Sequence, residues 1–119
     1  MTGHAAVVVT PAHQFPLGVT LHPHRRAALV ELARATGTLV TEDDYDGEFR
    51  FDRQPVGALQ AMAPDQVVYA GTASKTLAPG LRLSWLVLPD RLVEPVRTAW
   101  LGDRHNSVIE QLTMAELLG

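Results

Sequence analysis

Apolar and polar positions along this chain follow two periods, one of strands and one of helices. Ala6–Thr10 (AVVVT) is a short β-branched run, the pattern of a strand buried on both faces of a parallel sheet. His22–Thr36 changes to helical spacing. Ala27, Leu29, Val30, Leu32 and Ala33 form a stripe, Pro23 suits the first turn, and Gly37 fits the C-terminal stop. Leu39–Thr41 predicts a second strand that enters Glu42-Asp43-Asp44-Tyr45-Asp46. Val67–Ala70 (VVYA) predicts a third, entering Gly71-Thr72-Ala73-Ser74-Lys75, and Leu81–Leu88 a fourth, closed by Pro89. Between them, Pro11 to Gly18 reads as a loop, Glu48–Phe51 as a short edge strand, and Ala58–Met62 as a helical turn. Asp90 is placed to N-cap a helix through Trp100 that Pro95 interrupts. Asn106 or Ser107 is placed to cap a last helix ending at Leu118.

Strands alternating with a clear helix predict an α/β layer structure. The fourth strand follows the third with no long helix between them, which permits a mixed sheet. Three or four strands are few for a sheet covered on both faces, so the chain reads as the middle of a domain.

Composition narrows the chemistry. The chain has 119 residues and a formal net charge of −3, without the basic stripe of a sequence-independent nucleic-acid binder. It has no cysteine, which removes disulfides, thiolate metal sites and cysteine nucleophiles. Its apolar runs fall short of the roughly 18 residues a membrane span needs. The N-terminal stretch lacks the pattern of a secretory signal, so the expected compartment is the cytoplasm. Nine arginines accompany a single lysine, Lys75. An ammonium can lose its proton and form an imine, whereas a guanidinium cannot. Lys75 is therefore either a selected nucleophile or an ordinary surface lysine.

Two clusters follow predicted strands, and ligands of open α/β sheets bind outside the carboxyl ends of strands. If the strand persists into the acidic cluster, Asp43 and Tyr45 point to one side, Glu42 and Asp44 to the other. A carboxylate and a phenol on one side, with a unique lysine opposite, suit a pyridine aldehyde cofactor. A Mg²⁺ site and a solvated acidic turn are the alternatives that spacing alone leaves open. Thr72, Ser74 and Arg82 suggest an anion site near Lys75. The five histidines form no recognisable metal pair and read as surface residues.

The blocks TPAHQFPLGV, TEDDYDGEFRFDRQP and VVYAGTASKTLAPGLRLSWLVLP resemble consecutive blocks of fold-type-I, class I/II pyridoxal-phosphate aminotransferases. They are most similar to the aminotransferase-like domain of MocR-type bacterial regulators, which follows a GntR-type winged helix. The resemblance implies a three-layer α/β slice of the large, cofactor-binding domain, with a mostly parallel sheet and flanking helices. It implies pyridoxal 5'-phosphate as cofactor, held by a Schiff base on Lys75. Asp43 matches the pyridine-nitrogen carboxylate and Tyr45 the phenol near the ring oxygen. Arg82 matches the phosphate-binding arginine, with Ser74 and Thr72 beside it. Two positions depart from the family: Phe15 stands where many members have asparagine, and Ser84-Trp85 replaces a Gly-Tyr or Gly-Trp pair.

The same resemblance implies that residues 1–119 are a partial large domain. The upstream phosphate turn and ring-stacking aromatic, the winged helix, and the downstream small domain with its substrate-carboxylate arginine would all be absent. Three functional readings follow: an aminotransferase domain, an effector-sensing module of a transcription regulator, or a non-functional fragment. An amino acid or other amino compound would be the substrate or effector, within a homodimeric parent. Neither nucleic acid nor membrane would be bound by this chain itself. At this length, tight cofactor binding and transamination by the chain alone are not expected.

Overall fold

The structure is a computed structural model and describes residues 6–11, 19–44, 57–72, 83–101 and 108–118. In chain order the elements are β1 (Ala6–Val9), α1 (Pro23–Thr36), β2 (Leu39–Asp44), α2 (Leu59–Met62), β3 (Val67–Thr72), β4 (Ser84–Val87), α3 (Asp90–Leu101) and α4 (Val108–Leu118). The expected edge strand Glu48–Phe51, the loop from Ala12 to Gly18, and the caps Asn106 and Ser107 lie outside the described residues.

Local chemistry sets both ends of α1. His22 takes extended backbone at the N-cap, and its Nδ1 accepts the N–H of His24 at 3.3 Å. Pro23 follows where a missing N–H has no helical partner to lose. Gly37 ends the helix at φ 71°, donating its N–H to the Ala33 carbonyl; a side chain would strain that left-handed turn. The helix buries Arg26, Val30 and Ala33, at the spacing of a single face. The expected stripe was wider: Ala27 is exposed and Leu32 is 60% exposed. Arg26 joins the buried face because its guanidinium donates to the carbonyl of Gly57, just before α2. A long stem can lie along apolar surface while its head finds a backbone oxygen.

The four strands lie in the order β1-β2-β3-β4. The first three are parallel, and β4 runs antiparallel to β3, as the short β3–β4 connection permits. Val40 pairs with Val67 and Asp44 with Gly71. Val30 and Ala33 of α1, Leu59 of α2, Ala63 just after it, Val40 and Val67 close one buried cluster. Leu59, Val40 and Val67 have no exposed surface. On β1 and β2 this face carries Val7, Val9, Val40, Glu42 and Asp44, by register and strand alternation. Tyr69, Gly71, Trp85 and Val87 continue it across β3 and β4.

The opposite face is different. It carries Val8, Thr41, Asp43, Val68, Ala70, Thr72 and Leu86, and of these Val68 is buried. Val8 is 68% and Leu86 47% exposed. Burial of β1 on both faces, expected from its apolar run, is therefore not what the structure has: Ala6–Val8 are exposed. A β-branched run reports strand propensity as well as burial.

The helix α3 runs through Trp100 to Leu101 with Pro95 inside it, as expected, at the cost of one intrahelical bond. One expectation about α3 changes. Asp90 sits inside the first turn, not at the cap, where its charge still favours the helix N-terminus. The Leu92 N–H reaches back to the Pro89 carbonyl at 2.8 Å.

At the β3–β4 pair, Gly71 is buried opposite Trp85. A Cβ on Gly71 would stand 2.5 Å from Cε2 and 2.6 Å from Cζ2 of the indole. The ring therefore lies against bare backbone. Gly71→Ala is expected to displace the indole and lower stability by about 1–3 kcal/mol. That loss exceeds the roughly 0.5–1 kcal/mol a strand gains from replacing glycine. Chemical denaturation and the Trp fluorescence maximum check it.

Candidate functional site

Three successive carboxylates end β2, and the structure gives each a different situation. Glu42 is 2% exposed. Its Oε1 accepts the N–H of Leu59 and its Oε2 that of Gln60, both at 2.9 Å. These are first-turn amides of α2, which have no partner within a helix. The N-cap residue Ala58 supplies no side-chain bond, so a strand residue caps the helix from outside it. Charged acceptors make the stronger hydrogen bonds, and the helix N-terminus favours negative charge.

Asp44 is half-buried on the same face. Its Oδ2 accepts the phenol O–H of Tyr69 at 2.7 Å. Tyr69 is on β3, opposite Glu42 in register, so the bond runs diagonally between the two strands.

Asp43 is exposed and projects from the other face. Among the described residues it makes no hydrogen bond or ion pair. It lies near the carboxyl end of a parallel strand, where a ligand is met in open sheets. Thr72, at the end of neighbouring β3, is on that face too, by register. Its hydroxyl donates to the Leu83 carbonyl at 3.4 Å, across to the start of β4. The strand conformation thus persists through Asp44 and separates Asp43 from Glu42 and Asp44, as the period of two requires. Tyr45, Ser74, Lys75 and Arg82 lie outside the described residues, as does the HQFPLG segment.

Among the described residues, no group of three His, Asp or Glu side chains could hold a metal ion, and no helix is long and apolar enough to cross a membrane. A cavity of about 550 Å³ opens between the start of α1 and α2, lined by Leu21, Pro23, Arg26, Ala61 and Met62 among others. It belongs to the helix layer, on the side away from Asp43.

Sequence patterns missed three contributors. Tyr69 read as part of a buried aliphatic run, yet a half-buried phenol needs a partner for its O–H, and that need was a usable signal. Glu42 read as one of several acidic residues. Nothing local ties it to Leu59, which is 17 positions away. Arg26 carries no local signal, because its partner is a backbone carbonyl 31 positions on.

Glu42→Gln is expected to destabilise the fold by about 1–3 kcal/mol, since an amide cannot accept at both positions and leaves a buried N–H unpaired. Glu31→Gln, on the exposed face of α1, should change stability by less than about 0.5 kcal/mol. Urea denaturation of the two variants checks both.

No protein-family model matches the chain. It is 41% identical over 111 residues to the uncharacterized HTH-type transcriptional regulator YhdI of Bacillus subtilis, covering 92% of this chain and 24% of that protein. Over 84 residues it is 42% identical to the HTH-type pyridoxine biosynthesis transcriptional regulator PdxR of Corynebacterium glutamicum, covering 71% of this chain and 18% of the regulator. Among solved structures it is similar to the α-aminoadipate aminotransferase LysN of Thermus thermophilus, complexed with N-(5'-phosphopyridoxyl)-L-leucine. That likeness has a TM-score of 0.80 at 30% identity, over 93% of this chain and 30% of that one. The chain spans about a quarter or less of the length of these two regulators.

Proposed function

We propose that this chain, which belongs to the pyridoxal-phosphate aminotransferase-like proteins, contributes the pyridine-nitrogen and lysine side of a pyridoxal 5'-phosphate site. The observation that carries the reading is Asp43. It is the one carboxylate of the three at the end of β2 that no described group engages, and it stands exposed at the carboxyl end of a parallel strand, on the face opposite Glu42 and Asp44.

The described residues fit the cofactor. A pyridinium N–H needs an unengaged carboxylate, and Asp43 offers one. A phosphate needs donors near that end of the sheet, and Thr72 stands on the same face, its hydroxyl donating to the Leu83 carbonyl in this structure. When bound, the cofactor supplies an aldehyde for an imine and a ring that accepts electrons. Asp43 accepts the ring N–H and keeps that nitrogen protonated. Lys75 supplies the amine that holds the cofactor and a base that moves a proton. Tyr45 donates to the ring oxygen, while Thr72, Ser74 and Arg82 hold the phosphate.

The parent activity is amino-group transfer or the sensing of an amino compound, within part of a large domain of a homodimer in the cytoplasm. The similarity to two HTH-type regulators favours the sensing reading, in which the same site reports an effector. Both readings place the same demands on Asp43 and Lys75.

In a chain that completes the large domain, borohydride reduction in excess pyridoxal phosphate, followed by peptide mapping, is expected to place the pyridoxyl label on Lys75, the only lysine of these 119 residues. Label on the N-terminal amine alone would sink the assignment. Lys75→Arg keeps the charge and should abolish both the label and the visible absorbance.

In the same completed chain, Asp43→Asn keeps the shape and removes the charge, so it is expected to slow the amine-dependent spectral change more than it weakens binding. Asp44→Asn should stay near wild type. The reverse order of effects, by stopped-flow absorbance, would reject the face assignment.

A further inference from the structure

The carboxylates on either side of Asp43 in sequence are both tied down on the face it does not use. Glu42 is fixed through two bonds to the start of α2. Asp44 is fixed through the Tyr69 phenol at 2.7 Å. A strand residue has no freedom to turn about the chain axis when both its neighbours are anchored, because successive side chains must point to opposite faces. Asp43 has no hydrogen bond of its own among the described residues, so its direction is set by its neighbours.

Asp44 is the last residue of β2, and a strand end frays more readily than its middle. The Tyr69–Asp44 bond crosses to β3 at the last described pair of the ladder, between elements that each carry part of the proposed cofactor site. We infer that Tyr69 and Asp44 form a positioning pair for Asp43: the phenol holds the end of β2 in register so that the Asp43 carboxylate meets the ring nitrogen. This rests on the cofactor reading above. Neither residue touches the cofactor in this scheme, so neither is a catalytic residue. What the bond requires of Asp44 is an acceptor, not a charge. Asparagine can serve through its Oδ1, and alanine cannot.

The test uses a chain that completes the large domain, with saturating pyridoxal phosphate, and four variants: Tyr69→Phe, Asp44→Ala, Asp44→Asn and Asp43→Asn. Cofactor affinity is measured, together with the pH at which the visible absorbance of the bound cofactor changes. Amide exchange is followed without cofactor. Tyr69→Phe and Asp44→Ala are expected to weaken binding by about 2- to 10-fold, the effect of one hydrogen bond. Both should move the pH profile in the direction in which Asp43→Asn moves it. Exchange should rise at Asp43 and Asp44 while Val40 and Val67 stay protected, and Asp44→Asn should resemble wild type. Tyr69→Phe and Asp44→Ala combined should cost no more than either alone.

A wild-type pH profile in Tyr69→Phe, with Asp43→Asn clearly shifted, overturns the positioning role and leaves the cofactor reading standing. No effect of Asp43→Asn removes the cofactor reading, and the positioning role with it. If Tyr69→Phe fails to fold, Asp44→Ala decides, because it removes the same bond and leaves the ring in place.

Discussion

Everything described near the carboxyl end of β2 depends on one buried carboxylate. The helix α2 has only four residues, Leu59–Met62, far too few to be stable by propensity. Its N-cap residue is alanine and bonds nothing through its side chain. Glu42 supplies what is missing by accepting from two successive amides of the first turn. Because Leu59 and Ala63 are fully buried in the cluster with Val40 and Val67, holding α2 in place also holds one wall of the core. The same contact fixes which way β2 is rotated. With Glu42 facing α2, Asp43 must face away.

That coupling makes an apparent redundancy functional. A run of three carboxylates is electrostatically unfavourable unless each is separately accommodated, and strand alternation separates them. One is satisfied by backbone amides, one by a phenol, and one is left exposed. Exchanging their positions would bury an unpaired charge and lose the cap together. The order Glu-Asp-Asp also fits the reach of each side chain. The longer glutamate spans from the sheet to the helix layer, and the shorter Asp44 meets a phenol on the adjacent strand.

Much of this fold was legible in the sequence because its signals are local. Pro23 and Gly37 mark the ends of α1, β-branched runs mark β1 to β3, and the missing helix before β4 permits an antiparallel strand. The alternation of Asp43 with Glu42 and Asp44 was legible for the same reason, since a period of two is a local property. What pattern could not supply is pairing at a distance. Arg26 is buried because Gly57 offers it a carbonyl, and Glu42 because α2 needs a cap. Tyr69 joins the site because Asp44 lies diagonally across the ladder. Each depends on a partner fixed only after the chain has folded. Burial misled for a related reason: AVVVT describes a strand whatever covers it, and here Ala6–Val8 are exposed.

Under the proposed function, the face that carries Asp43 bears on why a carboxylate there would suit an aromatic ring. Val8 and Leu86 leave apolar surface exposed on the face that carries Asp43. A free carboxylate in water is well solvated and gains little from a single N–H donor. The same carboxylate covered by a flat, largely apolar ring loses water on one side. A bond to a ring nitrogen would then form in a medium of lower dielectric, where a charge-assisted hydrogen bond is stronger. The charge that makes Asp43 costly to bury is what a protonated ring nitrogen would offset. A neutral aromatic ring would cover the same surface and leave the carboxylate without a partner. On this account the apolar surroundings favour the ring, and Asp43 selects for a ring that can carry a proton.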